Sequence, residues 1–149
     1  MTSKIKCILL IDDDNSTNFL HSAILQDADC ALRIIAVNSA MRGLQFISRT
    51  LLSDNKSSQE VAPELIFLDL NMPIIDGWEF LEVYKNVGGK IINRPILIMG
   101  SSLWQAKDKI RALANPEVSG IYDKPLTNEI VTDILSKYFH SQTETNTYF

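Results

Sequence analysis

Apolar and polar positions fall along this chain in alternating blocks. Residues 5–11 are nearly all apolar and rich in branched side chains, the composition of a parallel strand covered on both faces. Short apolar runs recur over 32–37, 65–68, 95–99 and 120–122, and each reads as a further strand. The segments between them have helical spacing. Ser16 is the expected N-cap of a first helix with Phe19, Leu20, Ala23 and Ile24 on one face. Asn38 or Ser39 caps a second helix carrying Met41, Leu44, Phe46 and Ile47. A third helix is expected over 76–87, with Trp78, Leu81 and Tyr84 inward and Gly88-Gly89 ending it. A fourth spans 103–113 and stops at Asn115-Pro116. Thr127 caps a fifth, whose apolar stripe is Ile130, Val131, Ile134, Leu135 and Tyr138. The polar, aperiodic stretch 53–60 reads as a surface loop, and residues 141–149 as a flexible C-terminal tail.

Five strands alternating with five helices predict an α/β fold, a doubly wound five-stranded parallel sheet, as one domain over residues 4–140. A length of 149 residues supplies enough core for such a domain. The net charge of -4 argues against non-specific binding to nucleic acid or to an anionic membrane surface. No apolar run approaches the roughly 18 residues of a membrane span. The first apolar run is short, ends in three aspartates and lacks a small-residue cleavage site, so it reads as a strand of a cytoplasmic protein rather than a leader. Cys7 and Cys30 read as small buried hydrophobes and not as a disulfide or a metal pair.

In doubly wound sheets, sites form beyond the carboxyl ends of the strands. The residues there are Asp12-Asp13-Asp14 after the first strand, Asp69 after the third, Gly100-Ser101-Ser102 after the fourth and Lys124-Pro125 after the fifth. If the first and third strands are neighbours, their carboxylates gather at one edge. Two unit charges about 4 Å apart repel by roughly 4 kcal/mol at an effective dielectric of about 20, so the cluster must be solvated, protonated or bound to a cation. Hard oxygen ligands with room for water suit Mg²⁺. Asp13 and Asp69 would be direct ligands, Asp12 would act through water, and the Asn71 backbone carbonyl would complete the set. Asp69 could then attack a phosphorus atom, with Lys124 on one oxygen of the transferring group and donors after the fourth strand on another. Each piece also has a plainer reading: a helix cap for the aspartates, a surface lysine, a turn sequence over 71–77. Their placement together on one rim favours the chemical reading.

The run Asp69-Leu70-Asn71-Met72-Pro73-Ile74-Ile75-Asp76-Gly77 resembles the phosphoacceptor loop of the response-regulator receiver domains of two-component signalling. Asp12 and Asp13 match that family's acidic pair, and Lys124-Pro125 its lysine-proline motif, in which the bond before proline is often cis. The resemblance covers nearly the whole chain and implies a flavodoxin-like (βα)5 fold. It also implies Mg²⁺ (or Mn²⁺) as cofactor and Asp69 as acceptor of a phosphoryl group from a sensor histidine kinase or histidine phosphotransfer protein. Such a domain is a regulator that catalyses only its own phosphorylation and dephosphorylation.

Two positions depart from the family pattern. The slot that usually holds a switch Thr or Ser falls on Gly100 by strict count. Either Ser101 supplies the hydroxyl after a one-residue slip, or the glycine stands there and no hydroxyl reaches the phosphoryl group. The switch aromatic, three residues before the lysine, falls on Ile121, with Tyr122 next to it. The expected partner face comprises Trp104, Ile121 and Tyr122, and the downstream partner is a protein, without direct contact to nucleic acid or membrane. Three other readings compete with this one. In a haloacid-dehalogenase-like phosphatase Asp12 would be the nucleophile, but an acidic motif after the fourth strand is missing. A flavin mononucleotide module would meet three aspartates where the phosphate must sit. A degenerate receiver used only as a scaffold would have no need of Asp13, Asp69 and Lys124.

Overall fold

The computed structural model describes residues 4–52, 61–87, 94–101 and 104–139. The loop expected over 53–60, the Gly88-Gly89 stop, Ser102, Leu103 and the tail over 141–149 lie outside the described residues. Five strands and five helices alternate: β1 (Ile8–Ile11), α1 (Asn15–Asp27), β2 (Ile34–Val37), α2 (Ala40–Leu52), β3 (Leu65–Leu68), α3 (Gly77–Val87), β4 (Ile96–Gly100), α4 (Ala106–Ala114), β5 (Gly120–Asp123) and α5 (Asn128–Phe139). The strands form one sheet in the order β2-β1-β3-β4-β5, and every pairing is parallel. This is the flavodoxin-like arrangement, in which chain order reverses between β1 and β3.

The central strands β1, β3 and β4 are buried throughout, as their unbroken apolar runs require of strands covered on both faces. Alternate side chains serve two separate cores. Leu9, Ile11, Ile66, Leu68, Ile96 and Ile98 pack with Leu44, Ile47, Phe80, Leu81 and Ala112, on the side covered by α2, α3 and α4. Ile8, Leu10, Leu65, Phe67, Leu97 and Met99 pack with Leu25, Val131 and Ile134 of α1 and α5. Phe80 is fully buried although Trp78, Leu81 and Tyr84 are the residues the pattern singles out on α3; Leu81 and Tyr84 are buried with it, and Trp78 is half-buried.

The first helix departs most from expectation. Asp14, not Ser16, is its N-cap, and its carboxylate accepts the Ser16 N–H at 2.9 Å. Of Phe19, Leu20, Ala23 and Ile24, only Ile24 packs against a core, where it is half-buried. Phe19 is 78% exposed and Leu20 is exposed as well, whereas Asn18, His21 and Leu25 are buried. The other caps follow the sequence more closely. The Ser39 hydroxyl accepts the Arg42 N–H at 3.1 Å, and the Thr127 hydroxyl accepts the Ile130 N–H at 3.1 Å. Met41 is exposed on α2. The fourth helix begins later than expected, at Ala106 behind a Gln105–Asp108 capping box. Cys7 is buried, Cys30 is partly so, and both are free thiols. Among the described residues, no helix is long and apolar enough to cross a membrane.

Candidate functional site

The pairing of Ile11 with Leu68 sets β1 and β3 side by side at their carboxyl ends, so Asp12 and Asp69 leave the sheet as neighbours. Backbone bonds hold both: the Asp12 N–H donates to the Val37 carbonyl at 3.2 Å, and the Asp69 N–H to the Ile11 carbonyl at 2.9 Å. Carboxylate oxygens of Asp12, Asp13 and Asp69 lie within 4.8 Å of one another. Asp12 and Asp69 are each 5% exposed, whereas Asp13 faces solvent.

Lys124 reaches this cluster from the end of β5. Its Nζ is 2.6 Å from Asp12 Oδ2 and 3.4 Å from Asp69 Oδ1. Asp12 Oδ1 also accepts the Asp14 N–H at 3.0 Å, so both Asp12 oxygens are engaged. Asp69 differs. Its Oδ1 takes the Asn71 N–H at 3.3 Å and the Lys124 contact, and its Oδ2 has no bonded partner among the described residues. Burial, and then the neighbouring Asp12 charge, push the Asp69 carboxyl up to about 6 against the pull of Lys124. Burial alone would lower the Lys124 ammonium, but its hydrogen bond to Asp12 and the two nearby carboxylates raise it on balance. Lys124 therefore stays charged and offsets part of the acidic repulsion.

The loop from Asp69 to α3 is closed tightly. The Gly77 N–H donates to the Leu70 carbonyl at 2.9 Å. A Cβ at Gly77 would sit 2.6 Å from Leu70 Cα and 2.7 Å from the Asp69 carbonyl oxygen, so the helix start can press this close only as glycine. Asp76 and Glu79 form a reciprocal capping box that fixes the start of α3. Ile74, at the loop tip, is 98% exposed and left-handed at φ 68°, a costly conformation for a β-branched residue.

The opposite rim is built differently. Gly100 is the last residue of β4 and pairs with Asp123; its carbonyl accepts the Lys124 N–H at 2.8 Å. The Trp104 indole lies directly on Gly100, and a Cβ there would collide with the ring. The indole N–H donates to Asp123 Oδ1 at 3.1 Å, and Lys109 Nζ stands 5.4 Å from the ring centroid and 3.8 Å from the same carboxylate. Half-buried Ser101 follows the strand, and its carbonyl accepts the Trp104 N–H at 3.2 Å. Ile121 and Trp104 pack against the same core. Tyr122 points to the other face, where its hydroxyl donates to Asp133 at 2.9 Å. Burial first, and then that bond, hold the phenol well above its ordinary range. The Lys124-Pro125 bond is cis.

Hydropathy passed over three residues that the fold brings here: Asn18, His21 and Asp123. Asn18 donates to the carbonyls of Asp12 and Val37 at 2.9 and 3.1 Å, and His21 Nε2 accepts the Leu126 N–H at 3.2 Å. The spacing Asp14, Asn18, His21, Leu25 is a helical stripe that ends in an apolar residue, and it marks the true inward face. The donor set fits a hard divalent cation: all three clustered ligands are carboxylates, close together, one of them open to solvent.

No family model and no curated protein matches the sequence. Solved structures do. The chain is 26% identical to a two-component response regulator from Cytophaga hutchinsonii, over 91% of this chain and 97% of that one, with a TM-score of 0.76. The fold is that of a response-regulator receiver domain. A response regulator receiver protein from Dyadobacter fermentans superposes with a TM-score of 0.73 at 24% identity, over 90% of this chain and 98% of that one. The chemotaxis protein CheY4 of Vibrio cholerae does so at 0.67 and 22%, over 89% and 98%. Receiver domains are regulators, and the flavin-module reading is set aside with the phosphatase one: the acidic rim and the engaged Asp12 favour neither.

Proposed function

We propose that this receiver, over residues 4–140, accepts a phosphoryl group on Asp69 from a sensor histidine kinase or histidine phosphotransfer protein and passes the signal to a downstream protein in the cytoplasm. The observation that carries this reading is the contrast within the acidic cluster. Asp12 has both oxygens bound, whereas Asp69 presents an Oδ2 with no bonded partner among the described residues, beside a lysine. In the transfer, Asp69 Oδ2 bonds to phosphorus while the phosphorus–nitrogen bond of a phosphohistidine breaks, and the departing imidazole takes up a proton. Lys124 has two carboxylate contacts at rest, and the phosphoryl oxygens replace the Asp69 contact as charge develops on them. The Asn71 N–H, already aimed at Asp69, orients the carboxylate. Asp12, Asp13, Asp69 and the Asn71 carbonyl would hold Mg²⁺ or Mn²⁺, which when bound neutralises charge on the phosphoryl oxygens. The chain thus catalyses its own phosphorylation and, with water as acceptor, its own dephosphorylation.

Phosphorylation adds a charge of about -1.5 to -2. We place the response on the rim of Gly100, Ser101, Trp104, Ile121 and Tyr122, tied to the site through the Lys124 N–H on the Gly100 carbonyl. The test is to incubate the protein with acetyl phosphate and Mg²⁺ and to map the modified residue. Label on Asp69 supports the reading, and label on Asp12 or nowhere refutes it.

A further inference from the structure

The Lys124 side chain must bridge two carboxylates, so its backbone has to be held. On one side the Lys124 N–H is fixed to the Gly100 carbonyl. On the other side Pro125 has no N–H to offer. The next donor is the Leu126 N–H, in a residue that is almost completely buried, and it goes to His21 Nε2 at 3.2 Å across 105 residues of sequence. That bond requires a neutral imidazole with its proton on Nδ1. Burial favours the neutral ring, pulling its pKa down against the raising effect of Asp12. The histidine is itself tightly confined. It lines a cavity of only about 10 Å³ with Asp12, Asn18, Phe67, Asp69 and Met99. One turn earlier on the same helix face, Asn18 is bonded to the Asp12 carbonyl. The first helix therefore grips both sides of the site: Asn18 holds the end of the acidic strand, and His21 holds the turn that delivers the lysine.

We infer that His21 is a positioning residue for phosphoryl transfer, acting through the Leu126 N–H to hold Lys124 over Asp12 and Asp69. The inference deepens the proposed phosphoacceptor function and rests on it for its kinetic consequence, while its structural core stands apart from it. His21 is not a ligand of the cation cluster, so its loss is expected to affect transfer and not cation binding.

The test compares wild-type protein with His21→Leu and His21→Gln, the second of which retains an acceptor. Two measurements are made: exchange of the Leu126 amide hydrogen, and the rate of phosphorylation by acetyl phosphate at saturating Mg²⁺ alongside the Mg²⁺ dissociation constant. Protection of the Leu126 amide is expected in wild type, lost in His21→Leu and regained in His21→Gln. The rate in His21→Leu is expected to fall by about tenfold to a hundredfold, since small misplacements of a catalytic group cost this much. The Mg²⁺ constant should stay within about twofold, and His21→Gln should recover most of the rate. An unprotected Leu126 amide in wild type overturns the inference. So does a normal rate in His21→Leu, an equal fall in both variants, or a parallel loss of Mg²⁺ affinity. If His21→Leu does not fold, the comparison of wild type with His21→Gln decides on the same two readouts. Absence of any label on wild type, with Leu126 protected through His21, counts against the phosphoacceptor reading alone.

Discussion

The two rims of the site were assembled under different constraints. On one, Asp12, Asp13, Asp69 and Lys124 stand at strand ends with like charges pressed together, Asp69 raised to about 6 and a lysine shared between two carboxylates. On the other, Gly100, Trp104, Lys109 and Asp123 form a layer in which an indole lies on bare backbone and is tied by one hydrogen bond and one cation. The first rim holds electrostatic tension between carboxylates that a cation would relieve. The second is already satisfied and fits around a missing side chain. The proposed chemistry falls on the tense rim, and the relaxed rim is suited to reading it out, because the Gly100 carbonyl joins the Trp104 layer to Lys124.

Removing the lysine breaks the comparison most severely. Lys124→Ala should slow phosphorylation of Asp69 by about 10²–10³-fold, the usual cost of losing a preorganised donor, measured as the rate of label incorporation from acetyl phosphate. The relaxed rim is tested by filling it. Gly100→Thr should destabilise the protein by about 1–3 kcal/mol in urea unfolding, because the indole must move. The same substitution in a Trp104→Ala background should cost much less, and equal costs in both backgrounds would remove Trp104 from the layer.

The tense rim also has a pH signature. A folded-state Asp69 titrating near 6 binds more protons than the unfolded chain between about 4 and 6. Without metal, this group alone should therefore make the protein less stable as pH rises through that window, by on the order of 3 kcal/mol at full extent. Mg²⁺ needs the ionised carboxylate, so its affinity should fall as pH drops through about 6, and its stabilisation of the fold should be largest above that value. Thermal unfolding with and without Mg²⁺ at pH 5 and pH 7.5 reads both effects. The smallest expected effect lies at the loop tip. Ile74→Asn should raise stability by about 1 kcal/mol, because asparagine tolerates the left-handed conformation better.

The acidic rim was legible because its carriers obey simple rules. Unbroken apolar runs end at Asp12 and Asp69, and strand alternation in a doubly wound sheet puts those ends together. The sequence also marked Gly100 and Ile121 as departures from the family pattern, and strand alternation turns Tyr122 to the far core. The first helix departs from its apolar pattern for a physical reason. Hydropathy assumes that apolar residues face inward, but here the inward face serves exposed backbone at strand ends and needs polar side chains. Asn18 and His21 are buried because the Asp12 and Val37 carbonyls and the Leu126 N–H require partners, and Phe19 is displaced to solvent. The Trp104 layer could not be read from local pattern at all, since it depends on an aromatic folding back four residues onto a glycine.

The most direct test is the site of the phosphoryl group itself. Wild-type protein and Asp69→Asn are incubated with acetyl phosphate and Mg²⁺, and the product is mapped by mass spectrometry after proteolysis. A single label on Asp69, absent in Asp69→Asn and absent without Mg²⁺, is the expected result. A label on Asp12, or one that persists in Asp69→Asn, would contradict the assignment of Asp69 as the acceptor.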